Sequence, residues 1–411
     1  MPARWRRKAV QAAAAGALAL ILAAAPPGGP SRAAAAAVAT EAESALSDDA
    51  FHTPPDPLPA GRPGDLIRYR PAKAGPPSAQ ALADAWQVMY LSTDALGEPN
   101  AVTGTVLVPK GADPATAPVV GFGPGTHGPA FHCAPSRMLA IGAFYEQPAV
   151  NSLLGAGYAV ALTDYEGYHP DPETTYTIGR SMGAALIDGV RAAQRLTEAG
   201  LSATAPVFFR GYSQGGGAAM WAGELQPAYA PELDLAGVIG GGVPADQVQV
   251  ALGLEGGDGF GLLAYALLGM DNAYPELDLE PHLNDTGRAA FADMNARACT
   301  MELLLEHRGK RVTDYLTRSP LIDPPWLARI QENTLGTRPI AAPVFQYHAT
   351  EDELVASPQA RSLRDAYCAA GVELVWKTWQ TGHIALVYHG NAEALAFMND
   401  RLSGQPVPST C

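Results

Sequence analysis

The sequence predicts an α/β fold, in which helices flank a mostly parallel β-sheet. A helical insertion interrupts the alternation of strands and helices along the chain. Three observations support this prediction. The chain has 411 residues, of which 47% are hydrophobic and only 17% charged, enough to bury a large core. Short apolar runs alternate with helical patterns between residues 119 and 239, and this alternation returns after residue 343. Between them, residues 246–339 contain little strand signal.

The sheet is predicted to begin with antiparallel strands and to continue with parallel ones. Gly97-Glu98-Pro99-Asn100 is typical of a turn that joins two early strands. The later alternation of strands and helices is typical of parallel strands that are covered on both faces. The predicted strands span residues 65–69, 86–92, 102–108, 119–122, 158–163, 207–210, 343–347 and 373–379, with another from 238, and the predicted helices span 147–154, 179–199, 214–226, 358–369 and 392–402.

The segment of residues 246–339 is predicted to be a helical cap or lid. Its apolar stretch Phe260–Met270 is either a lid face that meets a lipid interface or a buried core helix. Two tandem domains would require the last βα units to form a sheet alone, and these units are too few. We therefore expect one α/β core, made of residues 40–245 and 340–411, that carries the cap as an insertion.

The first 39 residues have the features of a signal peptide. Four basic residues within positions 4–8 precede an apolar run at 9–25 that is too short and too weakly hydrophobic for a good membrane anchor. Ala37-Val38-Ala39 offers a cleavage site, and a cut near Ala25 is the alternative. We expect a secreted, extracellular protein with no transmembrane anchor after processing.

The net charge argues against nucleic acid as a partner. The whole chain has a formal charge of −14, and residues 1–39 contain basic but no acidic side chains, so the processed chain is more acidic still. Such a field repels phosphate backbones and anionic lipid surfaces. We therefore expect no nucleic-acid partner, whereas polar, neutral or cationic substrates stay open.

A candidate nucleophile lies in Gly211-Tyr212-Ser213-Gln214-Gly215, a G-x-S-x-G motif between a predicted strand and a predicted helix. Here the serine occupies a sharp turn, and glycines two residues before and after it avoid a clash. The turn projects the hydroxyl above the sheet, and the following helix points its first amides at developing negative charge. The alternative is a serine that caps a helix in a glycine-rich loop.

A serine nucleophile needs a base that is held by an acid, and in an α/β-hydrolase they follow in the order serine, acid, histidine. His383 lies in a loop directly after the last predicted strand and is favoured as the base over His389. The acid is expected after the preceding strand. Asp352 is favoured there, because a short carboxylate followed by apolar residues would be anchored facing the site. Glu351 and Glu353 are predicted to flank it as solvated charges.

Stabilisation of an oxyanion requires two hydrogen-bond donors. The backbone amide of Gln214 is one candidate. The loop of residues 123–128, Gly-Pro-Gly-Thr-His-Gly, follows the predicted strand that ends at Phe122, and its glycines let the backbone approach a substrate closely. This loop is expected to supply the second donor, and an ordinary turn at the end of a strand is the alternative.

Four cysteines in an exported chain suggest two disulfides, with buried free thiols as the alternative. The order of the cysteines favours none of the three pairings. His127, His132 and Cys133 lie near one another in the sequence, but their spacing fits no strong zinc pattern. We therefore expect no metal site and no cofactor.

With these residues assembled, the chain resembles the secretory lipase family of α/β-hydrolases, the lipase A-like group. The resemblance extends from Gly64 to Cys411. It is carried by residues 123–126 with Cys133-Ala134-Pro135-Ser136, by the motif at 211–215, by Gly241-Gly242-Val243-Pro244-Ala245-Asp246, by Asp352-Glu353-Leu354-Val355 and by Gly382-His383. Bacterial relatives often have His-Gly-Thr where this chain has Pro124-Gly125-Thr126.

The resemblance implies an α/β-hydrolase fold and a catalytic triad of Ser213, Asp352 and His383. It also implies that Thr126 is the second oxyanion donor beside Gln214, and that residues 246–339 cap an acyl-binding site. It further implies two disulfides, which join Cys133 to Cys299 and Cys368 to Cys411.

The function expected from the sequence is that of a secreted serine hydrolase, a triacylglycerol lipase or carboxylesterase. It would cleave carboxylic esters of lipids through an acyl-enzyme, with a small-molecule or lipid ester as substrate and a lipid–water interface as a further partner. The alternatives are an acyltransferase, a peptidase on the same fold and a non-catalytic lipid-binding protein. A broken triad would favour the last of these, and the chain contains all three members.

Overall fold

The computed structural model describes residues 47–411, so the predicted signal peptide of residues 1–39 lies outside the described part. Nine strands form one sheet in these residues. The strands are β1 (Leu66–Pro71), β2 (Ala83–Thr93), β3 (Pro99–Pro109), β4 (Val119–Gly123), β5 (Ala159–Glu166), β6 (Val207–Tyr212), β7 (Leu235–Gly241), β8 (Val344–Ala349) and β9 (Leu374–Trp379).

The strand order is β1-β2-β3-β5-β4-β6-β7-β8-β9. The pairs β1–β2, β2–β3 and β3–β5 are antiparallel, and every later pair is parallel, from β5–β4 to β8–β9. The predicted antiparallel start and parallel continuation are therefore confirmed. Parallel strands have their carboxyl ends at one edge, so the loops after β4, β6, β8 and β9 lie along the same side of the sheet.

Helices cover both faces of the sheet. Adjacent residues such as Phe208 and Phe209 pack into different apolar clusters, as the alternation of side chains along a strand requires. One cluster includes helices α5 (Gly179–Arg195), α6 (Gln214–Tyr229) and α13 (Ser357–Ala369). The other includes α3 (Pro135–Ala140), α4 (Gln147–Gly155), α14 (His383–His389) and α15 (Asn391–Leu402). Two short helices, α1 (Asp48–His52) and α2 (Pro77–Gln80), precede them.

Six helices lie between β7 and β8 and contribute no strand to the sheet. They form a third apolar cluster, in which Phe260 and Tyr265 are each only 1% exposed. The stretch Phe260–Met270 is thus chiefly a buried core helix rather than an exposed lid face. The six are α7 (Gln247–Leu254), α8 (Phe260–Ala273), α9 (Asp285–Arg297), α10 (Thr300–Glu306), α11 (Val312–Tyr315) and α12 (Pro324–Glu332). No helix within residues 47–411 is both long and apolar enough to cross a membrane.

Two local predictions differ from the structure, and one helix was not predicted. Helix α1 lies before the first strand, where the Ser47 hydroxyl accepts a hydrogen bond from the amide of Ala50 and caps this helix. The predicted helix 179–199 ends as an α-helix at Arg195, because Leu196 has an extended backbone. His383 is the first residue of a helix and not part of a loop.

The structure pairs Cys133 with Cys299 and Cys368 with Cys411, so all four cysteines are in disulfides. These are the pairs that the family resemblance implies. The first bond connects the segment after β4 to the start of α10, and the second connects the end of α13 to the last residue of the chain.

Candidate active site

Ser213 occupies the sharp turn between β6 and α6. Its φ of 56° and ψ of −121° belong to a region that residues with a side chain rarely adopt. The two glycines of the motif make this turn sterically feasible, because a Cβ on Gly215 would overlap the carbonyl oxygen of Gly123, and one on Gly211 would overlap that of Gly215. The amide of Ser213 donates to the carbonyl of Gly241 at 2.8 Å, which ties the turn to β7.

The structure brings the three candidate residues from separate loops into one hydrogen-bonded chain. The Nε2 atom of His383 is 2.9 Å from the Ser213 hydroxyl oxygen, and its Nδ1 atom is 2.7 Å from Oδ2 of Asp352. His383 is only 2% exposed, whereas His389 lies exposed at the other end of the same helix. Oδ1 of Asp352 accepts the amide of Val355 at 2.7 Å, which orients the carboxylate.

The electrostatics fix the roles of the two imidazole nitrogens. Burial raises the pKa of Asp352, but the hydrogen bond and the charge of His383 outweigh this effect and bring the pKa below its usual value. Asp352 is therefore ionised and can only accept. In the neutral imidazole of His383, Nδ1 then carries the hydrogen, and Nε2 is left to accept the hydrogen of the Ser213 hydroxyl.

The backbone of His383 is held on both sides, and one of these contacts corrects a prediction. Glu353 is not merely a solvated charge, because its carboxylate accepts the amide of His383 at 2.8 Å. Gly382 leaves room for this contact, since a Cβ there would lie 2.7 Å from Oε2 of Glu353. The hydroxyl of Tyr212 donates to the carbonyl of His383 at 2.7 Å. Glu351 and Glu353 are both exposed, as expected.

The loop after β4 lies directly beside the serine turn. Gly123 is in register with Gly211 in the adjacent parallel strand, and a Cβ on Gly125 would lie 3.3 Å from the carbonyl oxygen of Tyr212. Gln214 is the first residue of α6, so its amide has no partner within that helix. Thr126, three residues after Gly123, is buried in the same loop.

The sequence does not predict four residues that support this loop. The hydroxyl of Thr126 is 2.9 Å from that of Tyr176, and its carbonyl accepts hydrogen bonds from the hydroxyls of Thr300 and Tyr145. The carboxylate of Glu146 accepts the amide that precedes Thr126, that of Gly125, at 2.7 Å. These partners come from distant parts of the chain, and no local motif marks them.

Glu146 has a buried carboxyl group whose pKa is unusually high. Burial raises its pKa from 4.5 to about 8, although the Gly125 amide, the Arg210 charge and the Tyr145 hydroxyl act in the opposite direction. Its side chain is therefore protonated at neutral pH. A glutamate followed by a predicted helix is too common a pattern to have identified this residue.

Two histidines and a disulfide lie near the loop. His127 donates through Nδ1 to the carbonyl of Gly125, 2.9 Å away, and its ring stacks on Phe144. His132 lies close to the two sulfur atoms of Cys133 and Cys299. Because these sulfurs are joined in a disulfide, they are not thiolate ligands.

An apolar pocket adjoins Ser213 and is walled by the helices inserted between β7 and β8. Its lining is aliphatic apart from a few polar groups, and it takes side chains from α7, α8 and the loop after Asp352. The lining residues are Tyr176, Thr177, Ser213, Pro244, Gln247, Val250, Ala251, Leu254, Leu262, Leu263, Ala266, Leu354 and Val355. Such a lining matches a hydrocarbon chain next to the serine hydroxyl.

Relatives of known class share most of the chain. Lipase 10 of Candida albicans is 29% identical over 399 residues, covering 89% of this chain and 83% of the relative. Secreted triacylglycerol lipase LIP1 of Malassezia furfur is 27% identical over 387 residues, covering 89% and 78%. A protein of Mycobacterium tuberculosis described as a probable inactive lipase is 28% identical over 376 residues, covering 88% and 83%.

The fold and the family follow from two further comparisons. The crystal structure of Candida antarctica lipase A in its closed state has a TM-score of 0.79 and 26% identity, and the match covers 87% of each chain. Together with the nine-stranded, mostly parallel sheet, this similarity identifies an α/β-hydrolase fold. The family model of secretory lipases matches residues 134–410. The chain therefore belongs to the secretory lipase family of ester hydrolases.

Proposed function

We propose that this protein is a secreted serine lipase or esterase that hydrolyses carboxylic esters of lipids through an acyl-enzyme. The observation that carries this proposal is the chain of hydrogen bonds from Asp352 through His383 to Ser213, with 2.7 Å and 2.9 Å between the atoms. This chain of hydrogen bonds ends at Ser213, which has a strained backbone conformation and lines an apolar pocket. These are the parts that nucleophilic catalysis by a hydroxyl requires.

The geometry supports a two-step reaction. His383 takes the proton of Ser213 as its oxygen attacks the ester carbonyl, and Asp352 stabilises the imidazolium that forms. The tetrahedral oxyanion is bound by the amide of Gln214 and the hydroxyl of Thr126. His383 then gives its proton to the departing alcohol, which leaves an acylated Ser213. A water molecule then attacks this ester while His383 takes its proton, and His383 returns that proton to the Ser213 oxygen as the carboxylic acid leaves.

The pocket supports an apolar acyl group as the part of the substrate next to the carbonyl. We propose that residues 246–339 act as a cap whose helices α7 and α8 wall this acyl site, on a core formed by residues 40–245 and 340–411. The name of the Malassezia relative, a secreted triacylglycerol lipase, favours a neutral lipid ester as substrate. The same name and the family agree with export, for which residues 1–39 would be the signal peptide.

Two exposed apolar pairs support contact with a lipid–water interface. On α7, Val248 and Leu252 are 39% and 69% exposed, and other residues of this helix line the pocket. On α14, Ile384 and Tyr388 are 51% and 47% exposed, on the helix that begins at His383. Residues four apart lie on one face of a helix, so each pair forms an apolar edge near the site. A lipid surface is the partner that such edges fit.

Hydrolysis of p-nitrophenyl esters from acetate to palmitate by the purified protein tests the proposal, with Ser213→Ala as the paired variant. We expect turnover of the wild type and a loss of about 10⁶-fold in kcat in the variant. A fluorophosphonate probe should label the wild type at Ser213 and leave Ser213→Ala unlabelled. A folded Ser213→Ala that keeps about a tenth of wild-type activity would refute the proposal. So would a wild type that neither hydrolyses esters nor reacts with the probe.

A further inference from the structure

The hydroxyl of Thr126 shares a buried hydrogen bond with a second hydroxyl group. Its Oγ1 atom is 2.9 Å from the hydroxyl oxygen of Tyr176, and the two residues are 5% and 6% exposed. Each hydroxyl carries one hydrogen, so only one of the two groups donates in this pair. For Thr126 to donate to an oxyanion, its hydrogen must be free, and Tyr176 must be the donor.

Tyr176 is suited to the role of donor. Burial raises its pKa to about 12, although the hydrogen bond with Thr126 acts in the opposite direction, so the phenol keeps its hydrogen at neutral pH. Within residues 47–411, Oγ1 of Thr126 is the only hydrogen-bond partner of this hydroxyl. With an oxyanion bound, both buried hydrogens are paired only if that of Tyr176 points at Thr126 and that of Thr126 points at the oxyanion.

Helix α8 holds Tyr176 in place. The ring stacks on that of Tyr265, with 4.1 Å between the centroids and 4° between the planes. The hydroxyl of Tyr265 donates to Oγ1 of Thr174, and the side-chain amide of Asn272 donates to the Thr174 carbonyl, both at 3.0 Å. Gly269 lets the helix lie against the backbone of Tyr176, because a Cβ there would be 2.6 Å from the Tyr176 nitrogen.

We propose that Tyr176 is a positioning residue for ester hydrolysis, whose hydroxyl donates to Thr126 and so leaves the Thr126 hydrogen for the oxyanion. This inference rests on the proposed function, in which Thr126 is an oxyanion donor. Tyr176 acts through Thr126 and not on the reacting atoms. Because α8 holds Tyr176, the orientation of the donor depends on a helix that also lines the pocket beside Ser213.

Steady-state hydrolysis of p-nitrophenyl butyrate by Tyr176→Phe, Thr126→Val and the double variant tests this role. Thr126→Val should lower kcat by about 10²–10³-fold, the usual cost of one oxyanion donor. Tyr176→Phe keeps the stacked ring, and it should lower kcat about tenfold with KM within about twofold, because the interaction lost is made in the transition state. The double variant should be no slower than Thr126→Val alone, since both changes act on the same oxyanion donor, the hydroxyl of Thr126.

A second readout separates orientation of the donor from general loosening of the fold. Phenylboronic acid forms a tetrahedral adduct with a serine nucleophile, and its affinity for Tyr176→Phe should fall by the same factor as kcat/KM. Tyr274→Phe is the matched control, since it removes a buried hydroxyl that accepts from Asn333 and touches neither Thr126 nor Ser213. It should keep wild-type kinetics. Thermal unfolding verifies that each variant is folded.

Three results would overturn the inference: wild-type kcat in Tyr176→Phe, a change confined to KM, or fully additive losses in the double variant. If Thr126→Val does not fold, Thr126→Ser supplies the second background, because it keeps the hydroxyl and should keep the sensitivity to Tyr176→Phe. An active Ser213→Ala would instead refute the proposed function itself. The two failures are therefore distinguishable.

Discussion

The buried carboxyl group of Glu146 predicts that this protein loses stability as the pH rises. The pKa of Glu146 is raised by burial from 4.5 to about 8, so the folded state keeps a proton on this side chain between these two pH values. The unfolded chain has already released that proton. Stability falls with pH wherever the folded state binds more protons than the unfolded state. The contribution is therefore complete below about pH 4.5 and is lost progressively up to about pH 8.

The size of this effect follows from the difference between the two pKa values. It corresponds to on the order of 5 kcal/mol of unfolding free energy, which is a large part of the stability of a typical domain. Glu146→Gln replaces the carboxyl group with an amide of the same shape that is neutral at every pH. The amide oxygen still accepts the hydrogen bond that Gly125 donates to Glu146. The variant should therefore keep the contact and lose the pH dependence.

Urea unfolding followed by tryptophan fluorescence, at steps between about pH 5 and pH 9, measures the effect. The wild type contains many titrating groups, so the informative quantity is the difference between its unfolding free energy and that of Glu146→Gln at each pH. We expect this difference to change in favour of the variant by several kcal/mol as the pH rises. Parallel profiles for the two proteins would show that Glu146 titrates alike in both states and would refute the reasoning.

Three further predictions concern the site and the covalent frame. Asp352→Asn should lower kcat about 10⁴-fold in the p-nitrophenyl ester assay, because an amide holds the wrong imidazole tautomer; a loss below about tenfold would mean another acid does this work. Replacing Cys368 and Cys411 by serine opens a loop with a sequence separation of 43 and should lower the unfolding free energy by about 4 kcal/mol in chemical denaturation. An unchanged denaturation midpoint would contradict this. Gly215→Ala should abolish activity and lower the melting temperature, since its Cβ would overlap a backbone oxygen, whereas Gly111→Ala, with open space around it, should do neither.

The alternation of strands and helices was predictable because each element is specified by its own residues. Strand β6 and helix α6 are local patterns, and the glycines around Ser213 mark the turn between them. The order of the sheet then places the loops after β6, β8 and β9 along one edge. The meeting of Asp352, His383 and Ser213 therefore follows from the chain order of the motif, and the structure brings the three together within hydrogen-bonding distance.

The residues that support the site were not predictable, because their roles arise from contacts between distant segments. Tyr176 and Thr300 reach Thr126 from positions that lie 50 and 174 residues further along the chain. Glu146 titrates unusually because it is buried, and burial of one carboxyl group leaves no mark in the surrounding sequence. Glu353 was misread for a related reason, since an exposed residue can still bind a backbone amide with one oxygen.

The six helices between β7 and β8 form a segment that could be exchanged without altering the sheet, provided that its contacts with the rest of the protein are kept. They leave the sheet after β7 and return at the neighbouring strand, so their replacement by a different segment would leave the strand register unchanged. The entropic cost of closing such a loop also grows only slowly with its length. Among the ties that cross from this segment to the loop after β4 or its support, three involve side chains at the site: the disulfide at Cys299, the hydroxyl of Thr300 and the ring of Tyr265. A chimaera that imports another protein's helices for a new substrate range would have to bring equivalents of all three.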